Sequence, residues 1–318
     1  MNIKTGIAVS AFCLLTSCED LAIHFTPTKK PIASHSKLAE KAEHFFWDTL
    51  HQGKYDNIST STKLLLAAYL ENPNDPLLAA HLGFLHIWKI TERQRIANPP
   101  PEIVDDIILA KKYFADAVEL QTNDARFLGF YGDSEMVEGS IFHDKRQQTK
   151  AYFTLKNAIH QWPQFNYFTA GYVMTTLPKQ SEHFQTALDW QWSTLDLCAQ
   201  TKINHNNPDF SPYLNLETQV GPQRACWNSW IAPYNFEGFF LNMGDMLVKQ
   251  GDWKTAITLY KNATLMKNYS TWPYRKLLEN RIAHAKENVE NFQHSSASPD
   301  KSMMINSGYG CVACHQNK

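Results

Sequence analysis

The sequence feature that most constrains the fold is a run of small and aromatic residues between positions 243 and 263. The run consists of Met243, Gly244, Leu247, Gly251, Trp253, Ala256, Tyr260 and Ala263. Intervals of three and four residues place side chains on one face of an α-helix, and Gly251-Asp252-Trp253 interrupts the run as a turn would. The sequence therefore predicts two packed helices joined by this turn.

These intervals resemble the tetratricopeptide repeat, a helix-turn-helix unit of about 34 residues in which small residues let two helices approach and aromatic residues fill the space between them. Fainter copies precede the run. They occur at Leu82-Gly83 with Ala110, Phe114 and Ala117, at Tyr131-Gly132 with Ala151, Leu155, Ala158 and Pro163, at 187–197, and at the turn Gly53-Lys54-Tyr55. The resemblance implies an all-α fold, a TPR-like α-solenoid of helical pairs over residues 36–292, with a non-repeating helical bundle as the alternative.

Stacked helical pairs leave one concave face lined by the first helix of each pair, and such faces commonly bind a peptide or protein. We therefore expect a protein partner on this face. Nucleic acid is excluded as a partner, because 30 basic residues balance 31 acidic ones and no basic run is present. The chain contains no phosphate-binding glycine loop and no nucleophile elbow.

Several polar residues in the predicted helices are interpreted as structural. His81 and His86 are five residues apart, so they do not share a helix face well, and we expect one partly buried histidine and one surface histidine rather than a metal site. Glu135 and Glu138 are expected on a helix surface.

The amino terminus has the pattern of a secretion signal. Residues 1–17 carry Lys4 and a short apolar run from Ile7 to Leu15, too short to span a bilayer. Leu-Thr-Ser-Cys, ending at Cys18, resembles the lipobox of bacterial lipoproteins, which implies that residues 1–17 are removed and that Cys18 is lipidated. Residues 18–35 would then form a linker that tethers the body to a membrane of the cell envelope, on its periplasmic or extracellular side, with inner and outer membrane both open.

The carboxyl terminus carries Cys311-Val312-Ala313-Cys314-His315. This Cys-x-x-Cys-His motif resembles the attachment site of c-type cytochromes, in which two thiols join the vinyl groups of one haem and the histidine binds its iron. The resemblance implies one covalent haem c on Cys311 and Cys314, with His315 as an axial iron ligand. A redox-active disulfide and half of a zinc site are the alternatives.

The motif departs from the cytochrome pattern because the sequence given ends at Lys318, without the segment that usually supplies a distal ligand. We expect residues 293–318 to be a flexible tether bearing the haem. Distal-ligand candidates are Met303 and Met304 in this tether, and His284 and His294 near the end of the helical body.

A long non-helical segment, 205–233, lies mostly between Cys198 and Cys226. Long loops in compact proteins are usually functional or fixed in place. In an exported protein these two cysteines are candidates for a disulfide, with two separate buried thiols as the alternative. Such a loop could cap the concave face or form one wall of a cofactor site.

The sequence thus favours a lipid-anchored protein that transfers electrons between its haem and a redox or envelope protein bound to the repeats, rather than a catalyst. Two other functions remain open. One is a haem peroxidase or ligand sensor with an open sixth iron position, and the other is a non-redox assembly scaffold.

Overall fold

The computed structural model describes residues 25, 27–293, 303 and 310–317, and every regular element in these ranges is a helix, which confirms the all-α prediction. None of the helices in this part of the chain is long and apolar enough to cross a membrane. The predicted signal peptide 1–17 and the lipid site Cys18 lie outside the described residues.

The helices follow one another along the chain, and the longest connections within 37–293 are 92–104, 199–234 and 262–274. The α-helices are α1 Lys37–His51, α2 Ile58–Glu71, α3 Pro76–Thr91, α4 Asp105–Leu120, α5 Ala125–Ile141, α6 Lys145–Gln161, α7 Pro163–Val173, α8 Glu182–Cys198, α9 Asn235–Gln250, α10 Trp253–Lys261, α11 Arg275–Ala283, α12 Asn288–Gln293 and α13 Cys311–His315. Short 3₁₀ turns occupy several of the connections, including Ser211–Leu216 and Pro222–Ala225.

Local sequence explains where many helices begin. Their first free backbone N–H groups are bonded by a preceding serine or aspartate side chain, which is the usual way to satisfy donors that have no partner within the helix. These capping residues are Ser36, Asp75, Asp124, Asp144, Ser181 and Asp252. The α9–α10 turn uses Gly251, whose φ of 108° is in the left-handed region that favours glycine.

Consecutive helices pack as pairs, and glycine lets the two members of a pair approach closely. A Cβ added to Gly244 would lie 2.1 Å from Cε1 of Tyr260, far inside normal contact distance. The same relation recurs along the chain. A Cβ would likewise come too close to Phe114 at Gly83, to Leu155 at Gly132 and to Gln191 at Gly171. This recurrence across α3/α4, α5/α6, α7/α8 and α9/α10 is compatible with a TPR-like helical fold.

The first helices of the pairs, α1, α3, α5, α7 and α9, share one surface, called here the inner face. A row of edge-to-face aromatic contacts runs across it. Ring centroids are 6.2 Å apart for Phe46 and Phe84, and 5.8 Å apart both for Phe84 and Phe130 and for Phe130 and Phe165. Edge-to-face geometry at these separations is favourable for aromatic rings, so the row helps to align successive pairs.

Two expectations about surface charge were wrong. Glu135 and Glu138 are 2% and 7% exposed rather than on the surface. Each is paired with a lysine of a neighbouring helix, Glu135 with Lys150 at 2.7 Å and Glu138 with Lys111. Burial of a carboxylate is tolerated when a cation and hydrogen bonds compensate the lost hydration.

Part of the predicted amino-terminal linker is attached to the body. The backbone N–H of Ile32 donates to the carbonyl oxygen of Asn74 at 2.9 Å, and that of Ser34 donates to Oδ2 of Asp75 at 2.6 Å. The Asn72 side chain donates to the carbonyl of Ile32. The span between the predicted lipid site and the first fixed contact is therefore shorter than residues 18–35.

The glycine contacts predict the outcome of a single methyl addition. Gly244→Ala should lower the free energy of unfolding by about 1–3 kcal/mol, the usual cost of overpacking a core, even though alanine is the better helix former. The ring of Tyr260 is fully buried and its hydroxyl donates to Asp245, so it has little room to move. Urea-induced unfolding measures the change.

The control is the same substitution in a Tyr260→Leu background, where the ring is absent and the added methyl should cost much less. An unchanged or increased stability of Gly244→Ala in the parent chain would contradict the packing described here.

Candidate functional site at the C-terminal cysteine motif

The Cys-x-x-Cys-His motif forms α13, a single helical turn inside the body of the protein. Gly310 begins it with a left-handed φ of 64°. Cys311 and Cys314 are both free thiols and are each 6% exposed, while Val312 and Ala313 are completely buried. The described part of the expected tether, residues 310–317, is thus docked in the core rather than extended from it.

Residues 310–317 contact the first helices of three pairs. The contacts are Asn317 with His51 of α1, His315 with Phe84 of α3, and Cys314 with Asn235 of α9. Part of the inner face expected to receive a protein partner is therefore occupied by the chain's own C-terminal segment.

The closest of these contacts depends on Gly238 of α9. A Cβ at this position would lie 2.4 Å from Sγ of Cys314 and 2.7 Å from the carbonyl carbon of Ala313. Backbone atoms cannot yield as a flexible side chain can, so only glycine allows α13 to lie this close to α9.

Hydrogen bonds to the main chain of α13 complete its attachment. The Trp272 indole N–H donates to the carbonyl of Ala313 at 2.8 Å, and the backbone N–H of Tyr234 donates to the carbonyl of Cys314 at 3.0 Å. The buried carboxylate of Glu92, directly after α3, interacts with the backbone N–H of Val312, and burial raises its pKa to about 7. The bonds from Trp272 and Tyr234 satisfy carbonyl groups that would otherwise be costly to bury.

The His315 imidazole is held in one orientation by a backbone carbonyl. Its Nδ1–H donates to the oxygen of Ile231 at 2.8 Å. Burial lowers the pKa of His315 to about 4, and the neighbouring His51 adds to this effect. The ring is therefore neutral at physiological pH, and with the proton on Nδ1 its lone pair is on Nε2, the arrangement typical of a metal-binding histidine.

Both motif thiols are protonated at neutral pH. Burial raises the pKa of Cys314 to about 12, with a further contribution from Glu237, and burial raises that of Cys311 well above its ordinary value. Thiol exchange requires the thiolate. A rapidly reacting disulfide switch is therefore not what this environment favours.

The loop that supplies the Ile231 carbonyl is covalently fixed. Cys198 and Cys226, considered as a pair from the sequence, are joined by a disulfide, with their Cα atoms 5.7 Å apart. Beyond this bridge, the exposed Trp230 packs on Trp47 of α1, with ring centroids 4.8 Å apart. The long loop thus forms one wall of the site.

A cleft of about 420 Å³ opens beside the end of the motif. It is lined by His44, Trp47, Asp48, His51, Trp230 and Asn317. A volume of this size is within the range of small-molecule sites in proteins. One of its lining residues, His51, has its Nε2 3.4 Å from the Ile231 oxygen that also accepts from Nδ1 of His315.

The four candidates for the distal ligand differ in where they lie relative to the motif. His284 is exposed at the end of α11, where its Nδ1 lies 3.0 Å from the carbonyl oxygen of Asn280, so it is not among the groups that enclose the motif. Met303 is half-buried and packs against the core. Met304 and His294 lie outside the described residues.

Within the described ranges, no group of three or more histidine, cysteine, aspartate or glutamate side chains is arranged to hold a metal ion. A structural zinc site normally needs four such ligands in a tetrahedron. This result gives no support to the alternative in which the motif is half of a zinc site.

Sequence reasoning missed the groups that hold the motif in place. The Ile231 carbonyl and Gly238 are distant in sequence from the residues they contact, and a backbone carbonyl leaves no compositional signal. The unusual composition of loop 205–233 suggested that this loop could form one wall of a cofactor site. It did not identify the Ile231 oxygen that accepts the bond from His315.

Comparison with known proteins finds no match to a protein-family model, to a curated protein or to a solved structure.

The enclosure of the thiols predicts slow alkylation. In folded protein prepared without haem, Cys311 and Cys314 should react with iodoacetamide at pH 8 far more slowly than in the chain unfolded in urea. For Cys314, a pKa raised from 9.0 to about 12 alone reduces the thiolate fraction about a thousandfold. Mass spectrometry of labelled peptides measures the rates.

The matched variant is Gly238→Leu, which should displace α13 and restore fast labelling of both cysteines. Equal rates in the folded and unfolded parent chain would show that the motif is not enclosed.

Proposed function

We propose that this protein is a lipid-anchored, exported c-type cytochrome whose helical pairs enclose a single covalent haem. The observation that carries the proposal is the geometry of His315. The Cys-x-x-Cys-His turn is intact, and the bond from His315 Nδ1 to the Ile231 carbonyl leaves Nε2 as the nitrogen that can bind iron.

The residues of the site fit a haem in their chemistry. Cys311 and Cys314 are reduced, unpaired and one helical turn apart, which is the arrangement that thioether attachment requires. The His315 ring is neutral and orientated. The ring of Phe84 contributes apolar surface beside His315.

When bound, haem would supply one-electron redox chemistry, whose potential depends on ligation, hydrogen bonding and burial. The protein's own residues account for the rest. Ile231 fixes His315 through its carbonyl oxygen, and both motif cysteines are buried away from water. Glu92 and Glu237 place buried carboxyl groups beside the motif.

The proposed partner is a redox or envelope protein that exchanges electrons from outside the array. Residues 310–317 occupy part of the inner face, so the partner would approach from the side of the long loop. The exposed Trp230 and the cleft beside it mark that approach. Anchoring through Cys18 rests on the lipobox-like sequence.

Intact mass and visible spectra of the mature protein test this proposal. Expressed in a bacterium that matures c-type cytochromes, the chain should begin at acylated Cys18 and carry one haem resistant to acid extraction. The double variant Cys311→Ser/Cys314→Ser should lose the haem. The control Cys13→Ser should keep it, because Cys13 is removed with the signal peptide.

A parent mass without haem would contradict the cytochrome proposal, and a mass without acyl chains would contradict the anchor. A spectrum that changes on addition of carbon monoxide or peroxide would favour the sensor or peroxidase alternative.

A further inference from the structure

We propose that the cleft beside Trp230 binds a small organic ammonium ion, with the positive charge on the face of an indole ring and beside the carboxylate of Asp48. The site does not depend on haem attachment to the cysteine motif. Its support comes from the chemistry of the lining residues, the angles between their rings, and the way in which the long loop holds Trp230.

One face of α1 supplies most of the lining of the cleft. Residues three and four positions apart on a helix lie on the same side, and the lining residues of α1 have this spacing, since they are His44, Trp47, Asp48 and His51. Asp48 is the only acidic residue among the six lining residues, and none of the six is a lysine or an arginine. The cleft therefore combines indole rings with a carboxylate, and both groups attract a cation.

The aromatic rings of the cleft meet at angles instead of stacking flat. The Trp47 and Trp230 rings are inclined by 57° with centroids 4.8 Å apart, and the His51 ring is inclined by 83° to that of Trp230 at 5.1 Å. Trp230 is 65% exposed despite these contacts, so much of its side chain is open to a ligand. Among aromatic side chains, the face of a tryptophan attracts a cation most strongly.

Trp230 is exposed and yet held in place. All nine tryptophans lie within the described residues, and the other eight are buried or half-buried. The backbone N–H of Ser229 donates to the carbonyl of Ala232, and the N–H of Ala232 donates to Oγ of Ser229, both at 3.1 Å. The carbonyl of the next residue, Ile231, is bonded by His315. Binding to a wall that is already fixed costs less conformational entropy.

The Asp48 carboxylate can interact with a cation as well as with its neighbour on the helix. Its Oδ1 accepts from the side-chain amide of Gln52, one turn later, and an ionised carboxylate offers about four acceptor positions. A bare metal ion fits the cleft less well, because no metal-binding group of three or more acidic, histidine or cysteine side chains occurs among the described residues. An organic cation needs only the indole faces and one carboxylate.

A second group of the same three residue types provides a matched comparison. The His205 ring stacks flat on that of Trp192, with centroids 4.3 Å apart and an angle of 12°, and its Nε2 lies 3.0 Å from Oδ1 of Asp196. The imidazole thus covers one face of the indole and is bonded to the carboxylate. Trp192 is also only half-exposed. This group should not bind the cation.

Isothermal titration calorimetry of the mature protein with choline chloride tests the proposal. The titration is made at pH 8, where histidine side chains normally carry no charge. The matched ligand is the neutral alcohol in which a carbon atom replaces the nitrogen of choline. We expect choline to bind about five- to thirtyfold more tightly than this alcohol, which corresponds to a cation–π energy of about 1–2 kcal/mol.

Three variants locate the binding site. Trp230→Leu should abolish the preference for choline while it keeps an apolar wall, and Asp48→Asn should weaken binding of choline but not of the alcohol. The control Trp192→Leu should leave both affinities unchanged. Retained binding of the alcohol shows that the cleft is intact in a variant.

A phosphocholine titration separates a free cation from a lipid headgroup. We expect phosphocholine to bind more weakly than choline, because its phosphate would lie near the carboxylate of Asp48. Tighter binding of phosphocholine would assign the cleft to a headgroup and overturn the free ion as its ligand.

Equal affinities for choline and the alcohol, or no heat of binding with choline, would overturn the proposal. Choline binding that is unchanged in Trp230→Leu, or lost in Trp192→Leu, would also overturn it. None of these results bears on covalent haem, which is measured by mass, and a mass without haem would leave the cation site standing.

Discussion

The contact between α13 and Gly238 of α9 is the constraint on which the site depends. Without a side chain at Gly238, the sulfur of Cys314 and the carbonyl of Ala313 can touch the α9 backbone, and the short C-terminal turn fits beneath the helices. Any larger residue would force α13 away from α9, because even a Cβ would lie 2.4 Å from Sγ of Cys314. The hydrogen bonds from Trp272 and Tyr234 then hold the turn in this position.

This placement changes the role of the helical pairs. A solenoid usually presents its first helices to a separate molecule, whereas here the first helices α1, α3 and α9 contact the chain's own C-terminal segment. Under the function proposed above, the array would enclose a redox site rather than only bind a partner. The disulfide-bridged loop forms one wall of the site, since its Ile231 carbonyl fixes the His315 ring that would bind iron.

Sequence periodicity was sufficient for the fold class and for the local pairs. Gly244 and Tyr260 are close in sequence, and their contact depends on one residue being small and the other large. The helix-turn-helix could therefore be predicted from the sequence. The burial of Glu135 could not be predicted, because its partner Lys150 lies on the following helix. A charged residue in an amphipathic helix is normally expected on the surface. Burial depends on neighbours that periodicity does not identify.

The candidate site was predictable in its chemistry but not in its surroundings. The cysteine motif is contiguous, so its spacing is visible in the sequence. The groups around it come from residues up to hundreds of positions away, and backbone atoms such as the Ile231 carbonyl have no sequence signature. The expectation of one partly buried and one surface histidine was wrong, because His81 and His86 are both buried. Each is bonded to a carboxylate on another helix, Glu43 and Asp106, and these partners appear only in three dimensions.

Hydrogen exchange of the C-terminal peptide tests the central claim, that the inner face encloses residues 310–317. The amides of Ala313, Gln316 and Asn317 are bonded, the last to the His51 carbonyl at 2.8 Å. Exchange through opening of a packed region is slowed by the free energy of that opening. Mass spectrometry of the native protein should show these amides protected far more strongly than those of the exposed loop 218–222. Exchange of the C-terminal peptide at the rate of an unstructured chain would contradict the account.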